Sequence, residues 1–183
     1  GFQNTNGGGF DAYLVKFDAA GNRLWATYYG GTGSETGLGV ATDASGNVYL
    51  SGRAPSTSTG IASGGHQNTY GGGFSDAFLV KFNSAGNRLW ATYYGGTVDD
   101  QGLSITIDPS GNVYFAGRTS STSGIASGGY QNSMAGLEDA FLAKFNSAGT
   151  LQWATYYGGP GTDYGRTVNT DASGNVYLGG EAS

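Results

Sequence analysis

The sequence predicts an all-β protein built from three copies of one unit. The tryptophans Trp25, Trp90 and Trp153 stand 65 and 63 residues apart in nearly identical surroundings, which marks an internal repeat. Short segments rich in Val, Ile, Tyr and Phe alternate with clusters of Asp, Ser, Gly and Asn, as strands alternate with tight turns. No segment has the apolar spacing of a helix.

Composition agrees with a turn-rich fold and excludes several functions. The chain has 36 glycines and only 11% charged residues, but 14% aromatic residues supply enough apolar surface for a folded core. Net charge is −5 and no Lys/Arg cluster is present, so nucleic-acid binding is not expected. Cysteine is absent, which excludes disulfides and thiolate chemistry. No apolar run reaches membrane-spanning length, so no membrane insertion is expected.

Each complete unit is predicted to contain four strands joined in pairs by hairpins. The segments 76–82 and 88–94 flank the turn at 84–87, and the segments 102–108 and 112–118 flank an Asp-Pro-Ser-Gly-Asn turn. The predicted boundaries are a half-blade at 11–29, a blade at 37–94, a blade at 102–157 and a half-blade at 165–180.

Residue size along the unit predicts how these strands are arranged. The first strand of each unit, such as 37–43, is made mostly of small or β-branched residues, whereas the last, such as 24–29, carries large rings. Small residues suit strands that line a narrow axis, and large rings fill the widening gap between sheets arranged radially. We therefore predict a β-propeller with about three four-stranded blades per chain, one of them split between the N- and C-termini.

The loops predict one elaborated face and one plain face. All length variation between copies lies in the Ser-, Thr- and Gly-rich linkers at 54–75 and 119–138. In a propeller these linkers emerge on the same face as the blade-to-blade connections, such as 30–36, while the tight hairpins occupy the other face. Binding surfaces are usually built from elaborated loops on a rigid scaffold.

Three segments of the second copy carry a resemblance to a known family. They are Asp-Ala-Phe-Leu-Val-Lys-Phe at 76–82, Trp-Ala-Thr-Tyr-Tyr-Gly-Gly at 90–96 and Asp-Pro-Ser-Gly-Asn-Val-Tyr-Phe-Ala-Gly at 108–117. This pattern resembles the bacterial SBBP-type β-propeller repeat and extends over essentially the whole chain. The resemblance implies a propeller within large exported or surface-attached bacterial proteins and no uniform activity.

The two half-blades predict a partner. The strands at 11–17 and 23–29 lack an inner pair, and those at 165–171 and 175–179 lack an outer pair. Joined, they would make one blade and protect both sheet edges. Three blades are too few to close a ring. Two chains would give six blades and three would give nine, or flanking blades of a longer chain would complete the ring.

The few chemically versatile residues argue against an enzyme. His66 is the only histidine, and its equivalents in the other copies are Phe2 and Tyr130, so a flat packing role is expected. Without cysteine or a second histidine, the Ser-His-Asp, Cys-His and histidine-zinc arrangements are absent.

The carboxylates divide into recurring and apparently unshared sets. Six recur by position at the start of turns and strands and are expected to be structural: Asp11, Asp76, Asp139, Asp43, Asp108 and Asp171. Four others lie in the blade-to-blade loops and are interpreted as unshared: Glu35, Asp99, Asp100 and Asp163. Oxygen-rich loops with glycine could hold Ca²⁺, although no EF-hand spacing is present and a solvated acidic loop is the alternative.

Two functional hypotheses follow. The first is a non-enzymatic extracellular or cell-surface scaffold for adhesion or self-assembly, which works by half-blade exchange. The second is a multivalent lectin that stacks glycans on linker aromatics, with His66, Tyr70 and Tyr130 as the ligand-binding candidates. A hydrolase that uses two carboxylates ranks behind both.

Overall fold

The computed structural model describes residues 1–183 and contains twelve β-strands. It contains no helix that is long and apolar enough to cross a membrane. The strands are β1 (Ala12–Phe17), β2 (Arg23–Tyr29), β3 (Thr36–Thr42), β4 (Val48–Pro55), β5 (Ser75–Phe82), β6 (Arg88–Tyr94), β7 (Asp100–Ile107), β8 (Val113–Thr119), β9 (Asp139–Phe145), β10 (Leu151–Tyr157), β11 (Tyr164–Thr170) and β12 (Val176–Glu181).

The strands form four antiparallel sheets that correspond to blades and half-blades. Strands β3-β4-β5-β6 form one four-stranded sheet, which we name blade 2, and β7-β8-β9-β10 form the other, blade 3. The N-terminal half-blade is β1-β2 and the C-terminal half-blade is β11-β12; each is a separate two-stranded sheet. The all-β propeller prediction is confirmed, and within one chain the sheets form an open array rather than a closed ring.

The first strands of the units lie side by side, β7 between β3 and β11. Small residues permit this approach. At Gly39 in β3, a Cβ atom would stand 3.3 Å from the Cα of Ser104 in β7 and 2.6 Å from the Oγ of Ser51. A larger residue would push the two strands apart, so the composition of the inner strands follows from their spacing.

Large rings fill the space between successive sheets. Tyr94 on β6 packs against Phe141 and Phe145 of blade 3, with ring centroids 5.1 and 5.7 Å apart. Tyr29 on β2 repeats this contact with Phe78 and Phe82 of blade 2 at 5.2 and 5.8 Å. All of these rings are fully buried. The N-terminal half-blade and blade 2 therefore each bury the outer-strand tyrosine against the next blade, and these contacts stabilise the stacking of the repeat.

The hairpins on the opposite face are closed by carboxylates. Asp108 accepts hydrogen bonds from the Asn112 backbone N–H and side-chain Nδ2, both at 2.8 Å, and Gly111 has φ of +82°, which favours glycine. The equivalent turns begin at Asp43 and Asp171. The amide of Asn175 lowers the pKa of Asp171. These three residues therefore have the structural role that the sequence predicts.

Candidate functional site

The first two junctions between successive sheets contain the same polar contact. The Trp25 indole Nε1 donates to the carbonyl of Ser84 at 3.0 Å, which ties β2 to the β5–β6 turn. Trp90 makes the equivalent bond to Ser147 at 3.2 Å. The conserved geometry shows that these tryptophans serve inter-blade packing, as the sequence predicts.

The three aromatic ligand candidates lie in separate environments. His66 packs edge-on against Phe145 of the next blade, with ring centroids 6.1 Å apart, and burial lowers its pKa. Tyr70 packs against Tyr93 at 5.9 Å and donates to the carbonyl of Gly73 at 2.9 Å. Burial raises the pKa of Tyr70 to about 12. Tyr130, in contrast, is 88% exposed. The structure does not bring the three side chains together.

The equivalents of His66 explain the exposure of Tyr130. Phe2 packs against Tyr29 and against Phe82 of the next blade, with centroids 6.3 and 6.4 Å apart. His66 likewise contacts the next blade. Tyr130 occupies the same position in the last linker. The phenylalanine that it would contact, equivalent to Phe82 and Phe145, is Phe17 of the split blade. Tyr130 is therefore exposed because the C-terminal half-blade lacks the outer strands against which the ring would pack.

Beside the blade-to-blade loops lies a feature that the sequence analysis missed: carboxylates, all but Asp11 buried, that meet in pairs. Around Gly95, a Cβ atom would stand 2.7 Å from both an Asp76 oxygen and an Asp100 oxygen, so these two carboxylates face each other across the glycine. Corresponding pairs surround Gly30 and Gly158. They are Asp11 with Glu35 and Asp139 with Asp163.

The interpretation of Glu35, Asp100 and Asp163 as unshared was wrong. Each lies five residues after the first glycine of its Gly-Gly pair, and each accepts a hydrogen bond from the second glycine, at 2.9, 2.8 and 2.9 Å. All three are buried. The constant offset was the available signal, but the varied loop sequences and the Asp-to-Glu exchange concealed it.

The Asp76–Asp100 pair is the most deeply buried and the least satisfied. Asp76 Oδ2 accepts from the Gly71 N–H at 2.6 Å, and Asp100 Oδ2 accepts from the Ser121 hydroxyl at 2.9 Å. The Oδ1 atom of each is buried without a hydrogen-bond partner. Burial raises the pKa of Asp76 to about 7 and that of Asp100 to about 6.

The four calcium candidates do not form one centre. Glu35, Asp100 and Asp163 lie in three different loops, and Asp99 accepts backbone hydrogen bonds from Phe74 and Ser75. No group of three or more Asp, Glu, His or Cys side chains is arranged around a common point. Any cation site would therefore consist of one carboxylate pair completed by other oxygens.

Both half-blades expose rings that are buried at the corresponding positions of the complete blades. Tyr13 and Phe17 on β1 are 71% and 59% exposed, whereas the equivalent Phe78 and Phe82 on β5 are fully buried. A groove of about 790 Å³ runs beside β1 and β3 and includes both rings. On the C-terminal half-blade, Tyr177 is 59% exposed. These are unpartnered faces of an established packing pattern.

Comparisons with known proteins agree with this architecture. Residues 89–124 and 152–183 match the family model described as SBBP, beta-propeller repeat. The chain is 28% identical over 191 aligned residues to an uncharacterized WD repeat-containing protein of Acanthamoeba polyphaga mimivirus, covering 91% of this chain and 14% of that protein. It is also 28% identical to the regulatory protein FlaEY of Caulobacter vibrioides, covering 97% of this chain and 20% of that protein.

Fold and family match together define a β-propeller repeat protein, a class of repetitive scaffold. Within that class, two segments of the chain match the SBBP-type repeat, in agreement with the resemblance seen in its sequence. The chain spans about a fifth or less of the length of the two curated relatives.

Proposed function

We propose that this chain is a non-enzymatic extracellular or cell-surface scaffold, with a structural or adhesive role, that assembles by half-blade exchange. Strand β12 of one chain would pair with β1 of a second copy, so that β11-β12-β1-β2 becomes a four-stranded blade. The observation that carries the proposal is the burial difference between the half-blades and the complete blades.

The pairing register of the proposed blade follows from the complete blades. In blade 2, Tyr49 on β4 lies opposite Lys81 on β5, and in blade 3 Tyr114 lies opposite Lys144. The residues at the same positions of the half-blades are Tyr177 on β12 and Lys16 on β1. In this register Val176 pairs with Phe17 and Leu178 pairs with Val15. The antiparallel hydrogen bonds would then cover the unpaired edges of β1 and β12.

The side chains at these positions are complementary. Lys81 Nζ lies 5.0 Å from the centre of the Tyr49 ring, and Lys144 Nζ lies 5.2 Å from that of Tyr114. Both tyrosines are buried. The exposed Tyr177 would obtain the same contact from Lys16 of the partner copy, and so lose most of its exposure.

The number of blades in a closed propeller favours an assembly of two chains. Propellers typically contain four to eight blades, so two chains with three blade-equivalents each would close a six-bladed ring with twofold symmetry. Three chains would need nine blades, outside that range. In a longer chain, flanking repeats would supply the same half-blades.

The non-enzymatic part of the proposal is supported by the placement of the polar groups. The single histidine packs on Phe145, and the turn aspartates are held by their own asparagines. The extracellular or cell-surface location is supported by the SBBP resemblance. Exposure of tagged protein on intact producing cells, measured by protease accessibility, tests the location.

A disulfide experiment tests the register directly, because the chain has no native cysteine. With Val15→Cys and Leu178→Cys in one chain, we expect disulfide-linked dimers under mild oxidation on a non-reducing gel. The matched control is Val15→Cys with Tyr177→Cys. A shift of one residue places the side chains on opposite faces of the sheet, so this pair should not cross-link. Equal cross-linking of both pairs would argue against the proposed register.

Light scattering after size exclusion measures the assembly itself. We expect twice the 18.6 kDa chain mass, and a shift toward one chain mass in Phe17→Asp. Leu89→Gln is the control, because Leu89 is exposed and the equivalent third-copy position is Gln152. A single-chain mass at all concentrations would contradict exchange between identical chains and leave flanking repeats as the source of the missing strands.

A further inference from the structure

The Asp76–Asp100 pair leaves two oxygens unused in the interior of the protein. Both residues are fully buried, and both Oδ1 atoms lack a hydrogen-bond donor. A buried carboxylate oxygen without a partner is costly, because it loses its hydration and receives nothing in return. Around Gly95, the free Asp76 Oδ1 faces Asp100 Oδ2, so the two carboxylates belong to one small region.

No basic side chain compensates for these carboxylates. The ion pairs of the chain are Lys81–Asp43, Arg118–Glu138 and Arg166–Glu181, and none involves Asp76 or Asp100. Asp99 adds a third negative charge that acts on both. Hydrogen bonds from Gly71, Gly96 and Ser121 hold the other carboxylate oxygens in place, so the unsatisfied ones are also oriented. The two carboxylates are therefore held in fixed positions without a basic partner.

The neighbouring polar atoms are mainly oxygens. At Gly71, a Cβ atom would stand 2.3 Å from the carbonyl oxygen of Gly96 and 3.0 Å from that of Gly95. The Gln67 side-chain oxygen lies beside the Gly95 N–H, which donates to it at 3.1 Å. Carboxylate and carbonyl oxygens are the ligands that Ca²⁺ prefers, whereas Mg²⁺ demands a stricter octahedral arrangement.

The other two carboxylate pairs provide an internal comparison. Asp139 accepts hydrogen bonds at both oxygens, from Gln131 and from Gly136. Glu35 also accepts at both, from Gly31 and Ser58. In these two pairs only Asp11 Oδ1 is buried without a hydrogen-bond partner, whereas the middle pair has two such oxygens. The buried oxygens without a hydrogen-bond partner are thus concentrated at Asp76 and Asp100.

We propose that Asp76 and Asp100 form a Ca²⁺ site, with backbone or side-chain oxygens of the adjoining loops completing the coordination. The ion would satisfy the free Asp76 oxygen that faces Asp100 and neutralise the pair. It would also link the start of β5 in blade 2 to the start of β7 in blade 3, and so stabilise the elaborated face at this junction. The site lies entirely within one chain, so it does not depend on the proposed half-blade exchange.

Calorimetric titration of the chelator-stripped chain with CaCl₂ tests the site. We expect one Ca²⁺ per chain with a Kd of about 10⁻⁴ to 10⁻³ M, as in extracellular calcium modules, and a rise in the thermal midpoint. Mg²⁺ should bind at least tenfold more weakly. Tb³⁺ gives a second readout, because Tyr93 and Tyr94 immediately precede Gly95 and can sensitise its emission; Ca²⁺ should displace it.

Variants that each remove one negative charge show which carboxylates bind Ca²⁺. Asp76→Asn and Asp100→Asn should each weaken Ca²⁺ binding more than tenfold while leaving the calcium-free thermal midpoint unchanged or higher, since a buried charge is removed. Asp108→Asn, which removes one charge on the opposite face, should bind Ca²⁺ as the wild type does.

Two results would overturn the site. One is the absence of binding heat, sensitised emission and thermal shift at about 10 mM Ca²⁺, far above the expected Kd; a proton would then neutralise the pair. The other is wild-type affinity in both Asn variants. Because Tb³⁺ displacement uses the wild-type chain, the conclusion stands even if a variant fails to fold.

Discussion

The Tyr94 hydroxyl donates a 2.6 Å hydrogen bond to the carbonyl oxygen of Ile125, which joins the outer strand of blade 2 to the linker of blade 3. Tyr29 makes the equivalent bond to Ile61 one junction earlier. Tyr157, at the same position of β10, is exposed. This hydrogen bond thus links each outer-strand tyrosine to the linker of the next blade, wherever that linker is present.

Removal of this hydroxyl tests its contribution to stability. We expect Tyr94→Phe to lower the free energy of unfolding by about 1–3 kcal/mol, because the buried Ile125 carbonyl loses its donor while the ring packing remains. Urea unfolding followed by tryptophan fluorescence measures the change. Tyr157→Phe is the matched control and should leave the stability of the isolated chain unaltered. Equal stability of Tyr94→Phe and wild type would show that the bond contributes little.

The glycine between the paired carboxylates should resist substitution. Gly95→Ala places a methyl group 2.7 Å from oxygens of both Asp76 and Asp100. We expect a loss of about 1–3 kcal/mol of unfolding free energy through overpacking. Gly159→Ala, where a Cβ has open space, should cost little or nothing. Thermal denaturation of the two variants side by side provides the measurement. A neutral Gly95→Ala would mean that the loop relaxes.

The single histidine gives the protein a defined pH response. Burial lowers the pKa of His66 from its ordinary 6.5, so the unfolded chain binds more protons than the folded chain between the folded pKa and 6.5. The contribution of His66 to stability is therefore complete above 6.5 and decreases as pH falls through this window. Proton NMR of the only imidazole gives the folded pKa directly.

His66→Phe restores the residue type found at Phe2 and should remove that part of the pH dependence while preserving packing on Phe145. A measured pKa at or above 6.5 would contradict the buried environment.

The hairpin aspartates act as hydrogen-bond acceptors for their turns. Asp108→Ala removes the acceptor of two bonds from Asn112, and we expect a loss of about 1–2 kcal/mol. Asp108→Asn should cost less, because Asn83 and Asn146 accept equivalent backbone bonds in the other hairpins. Chemical denaturation compares the two. If Asn were as disruptive as Ala, the negative charge rather than the acceptor would matter.

The repeat, strands and tight turns were predictable because they depend on local signals. Asp-x-Ser-Gly-Asn fixes a hairpin within five residues, and the spacing of Trp25, Trp90 and Trp153 fixes the copies. Small inner and large outer residues were also sufficient to predict the propeller. These patterns need no knowledge of which distant segments meet.

The carboxylate pairs required the tertiary structure. Asp76 and Asp100 are separated by 24 positions and lie at the starts of two different strands, β5 and β7, and each has a plausible local role when read alone. Only the packing of the β6–β7 loop on the linker brings them together and excludes water and basic side chains. The burial of these two side chains and the orientation of their Oδ1 atoms depend on that packing. The sequences of the loop and the linker alone do not reveal it.

The threefold repeat and its incomplete outer units were therefore determined by the sequence itself, because strand periodicity and turn chemistry are local. The tertiary structure alone decided which residues each junction buries. Tyr94 and Tyr157 have the same place in the repeat, yet one is enclosed by Phe141 and Phe145 and the other is exposed. The physical reason is that burial depends on the neighbouring blade, which no single repeat contains.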